Sequence, residues 1–411
     1  MKRYVIIGGS IAGQSCAEAI RRTDPEGEIT LVSEERVSGY GRPLISYYLE
    51  GKTDIPRMSR RGPDFYDRLR VTALHGIRAV RLDAEGHRAI LSDGRELPYD
   101  SLCLCTGSFP FSPRFEGIET VPQRFFFTTL DDALALEKAV TKESRVLIVG
   151  AGFIGLKCAE GLKERAGSIT VCDLADRAMS ASLDRECSAI LERHLENNGI
   201  RLMLGNTAQR FEGGCAVMQH GERVPFDVLV IAIGVRPATQ LAAEAGAAVG
   251  RGITVDGAMR TSLPDVWAAG DCTESTEMTT GQTAVMAVLP NAAQQGECAG
   301  VSMAGGNAAF TSGMRMNSIG FFGLHIMSAG TCTGEPVFAE VTETSCRKLF
   351  AGGGALIGFI LIGDVQKAGI YTAMIRDRVP LAGIDMAQLG RDPSLLPLGQ
   401  ALRRRKLGGV V

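Results

Sequence analysis

Residues 145–162 read RVLIVGAGFIGLKCAEGL. An apolar run leads into Gly150-x-Gly152-x-x-Gly155 and a helix-forming stretch, and a second apolar run then ends in Asp173, 18 residues after Gly155. Glycines at this spacing allow a tight strand-to-helix turn and let backbone N–H groups reach a pyrophosphate at the helix N-terminus. The acid can accept hydrogen bonds from an adenosine ribose and repels a 2′-phosphate. The stretch therefore predicts a βαβ unit that binds NAD rather than NADP.

The chain repeats this pattern. VIIGGSIAGQSCAEAI (5–20) aligns with LIVGAGFIGLKCAEGL (147–162) at a constant offset of 142 residues. A second pair follows, YDSLCLCTG (99–107) and FDVLVIAIG (226–234), each with an aromatic-Asp start, an apolar run and a terminal glycine. Repeated supersecondary units predict two related α/β halves, each closing with a strand that ends at its ligand.

The first copy departs from the second at its middle glycine. It reads Gly8-x-Ser10-x-x-Gly13, so a side chain stands where backbone should approach phosphate, although a serine hydroxyl can itself donate a hydrogen bond. The acid after the second strand is Glu34 or Glu35, and we choose Glu34, 21 residues after Gly13.

A third segment distinguishes the ligand of the first copy. TSLPDVWAAGDCTE (261–274) predicts a short strand that ends in Gly270-Asp271. A dinucleotide larger than NAD has a central polyol, and a buried Asp can accept hydrogen bonds from its hydroxyls. The first copy and this segment together predict FAD.

Composition excludes several classes of protein. The 411 residues are 45% apolar and 22% charged, as in a globular protein, and 44 Lys plus Arg oppose 46 Asp plus Glu, which gives no case for nucleic-acid or membrane binding. The longest apolar stretch, AGGGALIGFILIG (351–363), is too short to span a bilayer and predicts a buried strand. Eleven cysteines without a CxxC pair argue against a zinc ribbon, a redox dithiol or an iron–sulfur cluster. We expect a cytoplasmic protein with no metal and no membrane span.

The segments GGSIAG, CTGSFPF, GAGFIG, AIGVRP and AAGDC follow one another in the order typical of a known family. The chain resembles the pyridine nucleotide-disulfide oxidoreductase superfamily of two-dinucleotide flavoproteins, in particular the rubredoxin reductase and nitrite reductase FAD-domain branch that has no redox cysteine. The resemblance covers residues 1 to about 300, and more loosely the tail at LIGFILIGD. It implies an α/β fold with two Rossmann-like three-layer domains and a C-terminal α+β interface domain. The implied boundaries are 1–110 and 232–310 for FAD, 111–231 for NAD and 311–411 for the interface domain.

The resemblance also assigns site residues. The helix PNAAQQGECAG (290–300), which contains Gln295, would direct its start at the flavin pyrimidine, where a positive helix end stabilises reduced flavin; alternatively, it is an amphipathic surface helix. The implied FAD residues are Gly8, Ser10, Gly13, Glu34, Arg42, Pro43, Thr106, Gly107, Asp271 and Gln295. The implied NAD(H) residues are Gly150, Gly152, Phe153, Gly155, Asp173 and Gly234.

The segment SGYGRPLISYYL (38–49) occupies the place where disulfide-reducing relatives carry a redox cysteine. In the branch that this chain resembles, the cation of Gly41-Arg42-Pro43 reaches the FAD phosphates and the proline stiffens the loop against the ring; the alternative is an ordinary surface arginine. The last 86 residues contain no histidine that could serve as acid/base. We therefore expect no disulfide reduction and no catalysis by side-chain chemistry.

Five other residues have open interpretations. Phe153 is either an aromatic gate over the flavin or a core residue. Lys157 replaces a frequent family glutamate, and it either tunes the flavin or faces solvent. Cys103 and Cys105 face the same way on one strand, as a reactive pair or as core. Arg177 leaves some room for NADPH.

Hydride transfer from NADH to flavin N5 needs alignment more than acid/base groups, and reduced flavin can then release single electrons. The first hypothesis is an NADH:acceptor oxidoreductase (diaphorase) whose partner is rubredoxin, ferredoxin or an iron–sulfur subunit of a larger complex, such as an aldehyde oxidoreductase or the 2-oxoacid oxidoreductase phenylglyoxylate dehydrogenase. The tail ALRRRKLGGVV is either a basic docking patch or a solvated end. The alternatives are an NADH oxidase that reduces O2 and a non-catalytic FAD-binding sensor or scaffold; a homodimer and a hetero-oligomeric complex both stay open.

Overall fold

The computed structural model describes residues 1–37 and 39–394. Its strands, in chain order, are β1 (Arg3–Ile7), β2 (Glu28–Ser33), β3 (Val71–His75), β4 (Ala79–Asp83), β5 (Arg88–Leu91), β6 (Glu96–Pro98), β7 (Ser101–Leu104), β8 (Ser108–Pro110), β9 (Arg124–Phe125), β10 (Arg145–Val149), β11 (Ser168–Asp173), β12 (Arg201–Leu204), β13 (Ala208–Phe211), β14 (Cys215–Met218), β15 (Arg223–Pro225), β16 (Val228–Ile231), β17 (Val235–Pro237), β18 (Ile253–Thr254), β19 (Val266–Ala268), β20 (Thr273–Thr276), β21 (Thr283–Ala284), β22 (Met316–Phe321), β23 (Leu324–Gly330), β24 (Phe338–Val341), β25 (Cys346–Gly352) and β26 (Ala355–Ile362).

The α-helices of the same ranges are α1 (Ile11–Thr23), α2 (Ile45–Leu49), α3 (Ile55–Met58), α4 (Phe65–Arg68), α5 (Leu130–Ala139), α6 (Phe153–Leu162), α7 (Arg185–Asn197), α8 (Gln240–Glu244), α9 (Leu289–Met303), α10 (Ala368–Arg376) and α11 (Met386–Arg391). Short 3-10 turns occupy Arg42–Leu44 and Ile118–Thr120. No helix of the described residues is both long and apolar enough to cross a bilayer.

The first sheet is parallel and has the order β19-β7-β1-β2-β3. Its core strands are short apolar runs because both faces are covered, as is usual for parallel sheets. Helices α1 and α9 pack against each other on this unit, and two glycines of α9 make the close approach possible. A Cβ on Gly296 would lie 2.1 Å from the Ala12 carbonyl oxygen, and one on Gly300 would lie 2.4 Å from that of Cys16.

The second sheet is also parallel and has the order β12-β11-β10-β16-β9. It repeats the first in its hydrogen bonds: the Gly8 amide donates to the Val32 carbonyl at 2.8 Å, and the Gly150 amide donates to the Cys172 carbonyl at 2.7 Å. The predicted α/β fold with two Rossmann-type units is confirmed. Strand β19 joins the first sheet although it follows the whole second sheet in sequence; the domain boundaries given above stay a prediction.

A matching pair of ion pairs also marks the repeat. Arg3 Nη2 lies 2.7 Å from Asp100 Oδ1, and Arg145 Nη2 lies 2.8 Å from Asp227 Oδ1. Each aspartate also accepts a hydrogen bond from the backbone amide of its arginine. The signal was present in the sequence, because the two arginines share the 142-residue offset and the two aspartates follow the repeated aromatic residue. Each pair ties the first strand of its unit to the start of the closing strand.

The C-terminal sheet is antiparallel, with the order β22-β23-β26-β25-β24, and α10 and α11 pack on it. The prediction of one buried strand over 351–363 is wrong in its first part. Strand β25 ends at Gly352, and Gly353 and Gly354 turn the chain with φ of 60° and 78° into the buried strand β26. Two consecutive residues with positive φ form the tight connection that hairpins favour, and glycine adopts it without steric cost.

Candidate functional site

The loop between β10 and α6 contains three glycines. At two of them a side chain would clash with neighbouring backbone, and at the third a side chain would enter open space. A Cβ on Gly150 would lie 2.3 Å from the Ala232 carbonyl oxygen, and one on Gly155 would lie 1.9 Å from the carbonyl oxygen of Gly150. A Cβ added to Gly152, the residue before α6, would have no other atom within 4 Å. The open position lies at the positive end of a helix, which is where a pyrophosphate binds.

The first loop, between β1 and α1, has the same construction. A Cβ on Gly8 would lie 2.0 Å from the Cys105 carbonyl oxygen, and one on Gly13 would lie 1.9 Å from the carbonyl oxygen of Gly8. Ser10 takes the place of the open glycine as the N-cap of α1, and its hydroxyl makes no capping hydrogen bond. That hydroxyl is available to a phosphate oxygen, as the sequence predicts.

The strands that close the two units end at equivalent glycines. Gly107 and Gly234 have φ of 69° and 108°, and neither has an atom within 4 Å of its Cβ direction. Thr106 donates from its hydroxyl to the Ala238 carbonyl at 2.6 Å, which links the two crossover strands β8 and β17 beside this edge. Both glycines therefore border open space at the carboxyl ends of the sheets, the usual ligand position in this class of fold.

Asp173 ends β11 and braces the second glycine loop. Its carboxylate accepts hydrogen bonds from the Ala151 amide at 2.6 Å and from the Ala175 amide at 2.8 Å. Arg177 donates to Asp176 at 2.9 Å and to two carbonyls of its own loop. Its guanidinium is thus held within the loop, and the contact of Asp173 with the ribose stays a prediction.

The acid of the first unit is placed differently from its counterpart. The strand register makes Ser33, not Glu34, the structural equivalent of Asp173. Val32 of β2 pairs with the last residue of β1, just as Cys172 of β11 pairs with the last residue of β10, and Ser33 and Asp173 are the residues that follow. Glu34 is exposed, whereas Glu35 is half-buried and accepts hydrogen bonds from Tyr40 and Arg42. A ribose contact by Glu34 stays a prediction.

Arg42 is not an ordinary surface side chain. Its guanidinium forms an ion pair with Glu35 and donates to the Thr128 carbonyl at 2.8 Å. Burial acts to lower the pKa of Arg42, but the charges of Glu35, Tyr40 and Asp271 raise it above its usual value. Pro43 beside it is exposed. The Arg42 side chain is therefore held by an ion pair and a backbone contact, while contact with FAD phosphates stays a prediction.

Asp271 lies at the wall of a cavity of about 220 Å³ whose lining includes Ser108 and Arg236. Burial raises the pKa of Asp271, against the opposing effects of the Arg42 charge and of a hydrogen bond from Ser108. A half-buried carboxylate next to a cavity and within the field of an arginine favours polar partners. The hydroxyls of a bound polyol would supply them.

Helix α9 buries one face against α1 and exposes Pro290, Gln294 and Glu297 on the other, so both interpretations of this helix stay open. Gln295 is 2% exposed, and its Oε1 accepts a hydrogen bond from the Gly270 amide at 2.8 Å. Its Nε2 donates to the Ser275 hydroxyl at 3.2 Å. Gln295 therefore fixes the turn that presents Asp271, a role that the sequence did not reveal.

Lys157 does not face solvent. Its Nζ forms an ion pair with Glu160, lies 4.0 Å from Glu50 Oε1 and stands 4.5 Å from the centre of the Tyr47 ring. Glu160 also accepts a hydrogen bond from the Phe322 amide at 2.6 Å. This charge cluster, Glu50, Lys157 and Glu160, joins α2, α6 and the turn after β22. Phe153, one helical turn earlier, is half-buried against the core, and its gating role stays a prediction.

Cys103 and Cys105 are core residues in this structure. Both are buried, and their Sγ atoms lie 3.5 Å apart on one strand. The hydrogen bond with Cys103 and burial raise the pKa of Cys105, so its thiol stays protonated. No group of three or more metal-ligating side chains occurs within residues 1–37 and 39–394.

The arrangement fits two dinucleotides. The second unit has open space at the N-terminus of α6, and the first unit has the uncapped Ser10 hydroxyl at the N-terminus of α1. Each closing strand ends at an open glycine, and the first unit adds the half-buried carboxylate of Asp271. The residues that fit FAD are those around α1, the Arg42 loop and Asp271. The residues that fit NAD(H) are those around α6 and Asp173.

Comparison with known proteins agrees with this geometry. A model of the pyridine nucleotide-disulphide oxidoreductase family matches residues 2–296. The epsilon subunit of NADH-dependent phenylglyoxylate dehydrogenase from Aromatoleum evansii is 31% identical over 391 residues, which cover 92% of each chain. NADH oxidase from Methanocaldococcus jannaschii is 32% identical over 75% of this chain and 71% of its own. Putidaredoxin reductase, in its covalent complex with putidaredoxin, shares the fold with a TM-score of 0.88 over 96% of this chain and 97% of that chain, at 24% identity.

The chain therefore belongs to the pyridine nucleotide-disulphide oxidoreductase family, and it is an FAD-dependent oxidoreductase that uses NAD(H) to transfer electrons.

Proposed function

We propose that this chain transfers electrons between NAD(H) and an iron–sulfur protein, as the flavoprotein subunit or partner of a larger oxidoreductase. The observation that carries the proposal is the loop at 39–49, which has a fixed arginine and no thiol, imidazole or free carboxylate that could react. FAD, when bound, supplies hydride acceptance from NADH and release of single electrons. The similarity over 92% of both chains to a subunit of an NADH-dependent dehydrogenase supports the same reading.

The residues of the site have binding and orienting tasks in this function. Gly152 and Ser10 leave the two helix N-termini open to the phosphates, and Asp271 is placed for a polyol. The Arg42–Glu35 ion pair holds the loop in one position against the second unit through the Thr128 carbonyl. Positioning of this kind lowers the barrier of a hydride transfer because the reactants need no further reorganisation.

An arginine-rich segment beside this loop is our candidate for the docking surface of the partner. Residues 57–70 contain five arginines against two aspartates. The segment is hydrogen-bonded to the loop: the Gly41 amide donates to the Met58 carbonyl at 2.8 Å, and the Arg60 amide donates to the Gly39 carbonyl at 3.2 Å. The Arg57 side chain is 77% exposed and pairs with Asp54 at 3.5 Å, and Arg61, Arg68 and Arg70 also form ion pairs, with Glu18, Asp64 and Glu26. Such a surface attracts an acidic electron carrier and speeds its encounter at low salt.

The experiment uses the purified holoprotein and a plant-type [2Fe–2S] ferredoxin as the acceptor. We expect NADH to bleach the flavin anaerobically and ferredoxin to restore its absorbance faster than air does. Arg57→Glu with Arg60→Glu should slow ferredoxin reduction about tenfold at low salt and leave ferricyanide reduction unchanged. Arg81→Glu, an exposed charge on β4, is the matched control. No reduction of any iron–sulfur protein would contradict the function, whereas equal rates in both variants would contradict only the docking surface.

An NADH oxidase is the second candidate, since the Methanocaldococcus jannaschii protein of that name is 32% identical. Reoxidation of the NADH-reduced flavin by air within seconds, faster than by ferredoxin, would favour it. The homodimer and the hetero-oligomeric complex are distinguished by the mass of the native particle.

A further inference from the structure

Two buried cysteines from distant parts of the chain meet side by side. Cys187 lies in the first turn of α7, and Cys346 is the first residue of β25, 159 positions later. Their Sγ atoms are 2.9 Å apart, and the side chains are 0% and 2% exposed. No spacing in the sequence predicts this contact, because one residue belongs to the second unit and the other to the C-terminal sheet.

The elements that carry the two thiols are held together by other contacts. Lys348, two residues after Cys346, is buried and forms ion pairs with the partly exposed Asp184 at 2.6 Å and with the exposed Glu186 at 2.5 Å. Further along α7, Arg193 donates to the Glu343 carbonyl at 2.9 Å. The approach of the two sulfur atoms therefore does not depend on a covalent bond between them.

We propose that Cys187 and Cys346 are a redox modification site, which a peroxide-class oxidant converts into a disulfide that joins α7 to β25. One hydrogen peroxide and two thiols give one disulfide and two waters. The O–O bond breaks and the S–S bond forms; the two sulfur atoms supply two electrons, and both thiol protons end in water. No other reactant is needed.

The surroundings make this reaction slow and selective. A hydrogen bond with Cys346, burial and the nearby Asp184 charge raise the pKa of Cys187, so little thiolate is present at neutral pH. Bulky oxidants have no access to buried sulfur, whereas peroxide is about the size of water. Cys103 and Cys105 are an internal comparison: their Sγ atoms lie 3.5 Å apart, farther than the 2.9 Å of Cys187 and Cys346, and residues two positions apart in extended backbone have Cα atoms at the upper end of the range that a disulfide spans.

The bond would have two consequences. It closes a loop of 159 residues, which restricts the unfolded chain and stabilises the fold. It also fixes the first turn of α7, next to Arg185, whose guanidinium pairs with Asp176 in the loop after Asp173. Oxidation would thus lock the adenosine side of the NAD(H) site against the C-terminal sheet.

The test exposes the purified holoprotein to hydrogen peroxide, alkylates the free thiols and digests the chain without reduction. We expect a linked peptide pair containing Cys187 and Cys346, with a mass two hydrogens below the sum, that dithiothreitol separates. We expect Cys103 and Cys105 in alkylated form. Peroxide should raise the melting temperature by about 5 °C in the wild type and leave Cys346→Ser unchanged.

Recovery of Cys187 and Cys346 as alkylated or sulfinic acid peptides from peroxide-treated wild type would overturn the proposal. This result does not depend on whether any variant folds. It is also independent of the electron acceptor, since the digestion requires no activity.

Discussion

Replacement of Lys157 by methionine tests the charge cluster that joins α2, α6 and the turn after β22. The Lys157 side chain is 11% exposed, and its partners Glu160 and Glu50 are 6% and 9% exposed. Among the described residues Glu50 Oε1 has no hydrogen-bond partner and lies 4.0 Å from Lys157 Nζ, while Glu50 Oε2 forms an ion pair with Lys52, whose side chain is 61% exposed. Removing the Lys157 cation leaves the buried Glu160 carboxylate without its ion-pair partner, beside a Glu50 that keeps Lys52.

The expected cost is large. Removal of one partner from a buried ion pair destabilises proteins by about 3–5 kcal/mol. Since each of the three side chains is about nine-tenths buried, solvent screening reduces this energetic cost only slightly. Urea unfolding followed by circular dichroism should therefore give Lys157→Met a free energy of unfolding about 3–5 kcal/mol lower than that of the wild type.

Two further variants make the measurement specific. Glu160→Gln in the Lys157→Met background removes one buried charge but keeps an acceptor for the Phe322 amide, and should recover about 1–3 kcal/mol. Arg145→Met breaks the ion pair with Asp227, whose partners are 47% and 44% exposed, and should cost no more than about 1 kcal/mol. If Lys157→Met and Arg145→Met cost the same, or if Glu160→Gln recovers nothing, the reasoning about burial is refuted.

Three other outcomes follow from the site. Gly152→Ala should fold and raise the KM for NADH about tenfold, since its Cβ enters open space where we expect the phosphates. Gly155→Ala should fail to fold, because its Cβ would lie 1.9 Å from the Gly150 carbonyl oxygen. Circular dichroism measures the folding of both variants, and NADH titration measures the binding of the first. The double variant Asp173→Ala with Leu174→Arg should raise the ratio of kcat/KM for NADPH to kcat/KM for NADH by at least about tenfold. The reason is that a carboxylate that repels the 2′-phosphate is removed and a cation that attracts it is added. An unchanged ratio in steady-state assays would show that Asp173 does not determine nucleotide specificity. Burial raises the pKa of Asp271 in the folded protein above its ordinary value of 3.8, so the ionised carboxylate destabilises the apoprotein at any pH above that folded-state pKa. Below about pH 3.8 the carboxyl group is protonated in both states and the destabilisation disappears. Asp271→Asn should therefore raise the free energy of unfolding of the apoprotein at pH 7 but not at pH 3.5, and should weaken FAD retention.

The sequence by itself determined the two nucleotide-binding units. Strand, glycine loop and helix are consecutive in the chain, and their signals are local: apolar runs, glycines where a Cβ would strike backbone, and an offset of 142 residues between the copies. The parallel sheets, the open glycine at the N-terminus of α6 and the position of Asp173 at the end of β11 could all be read in this way. The family followed from the same segments.

Only the tertiary structure decided the side-chain partners. Lys157 meets Glu50 and Cys187 meets Cys346 across more than 100 positions, and the interpretation of Lys157 as solvent-facing was open until its burial was known. Arg42 pairs with Glu35, the neighbour of the Glu34 that we chose for the ribose; both follow the end of β2, and only the structure shows that Glu35 is half-buried and Glu34 exposed. Backbone conformation is set by neighbours along the chain, whereas these charge and thiol contacts are set by which faces pack together. Unlike Arg3–Asp100 and Arg145–Asp227, they have no repeated sequence signal that links the two partners.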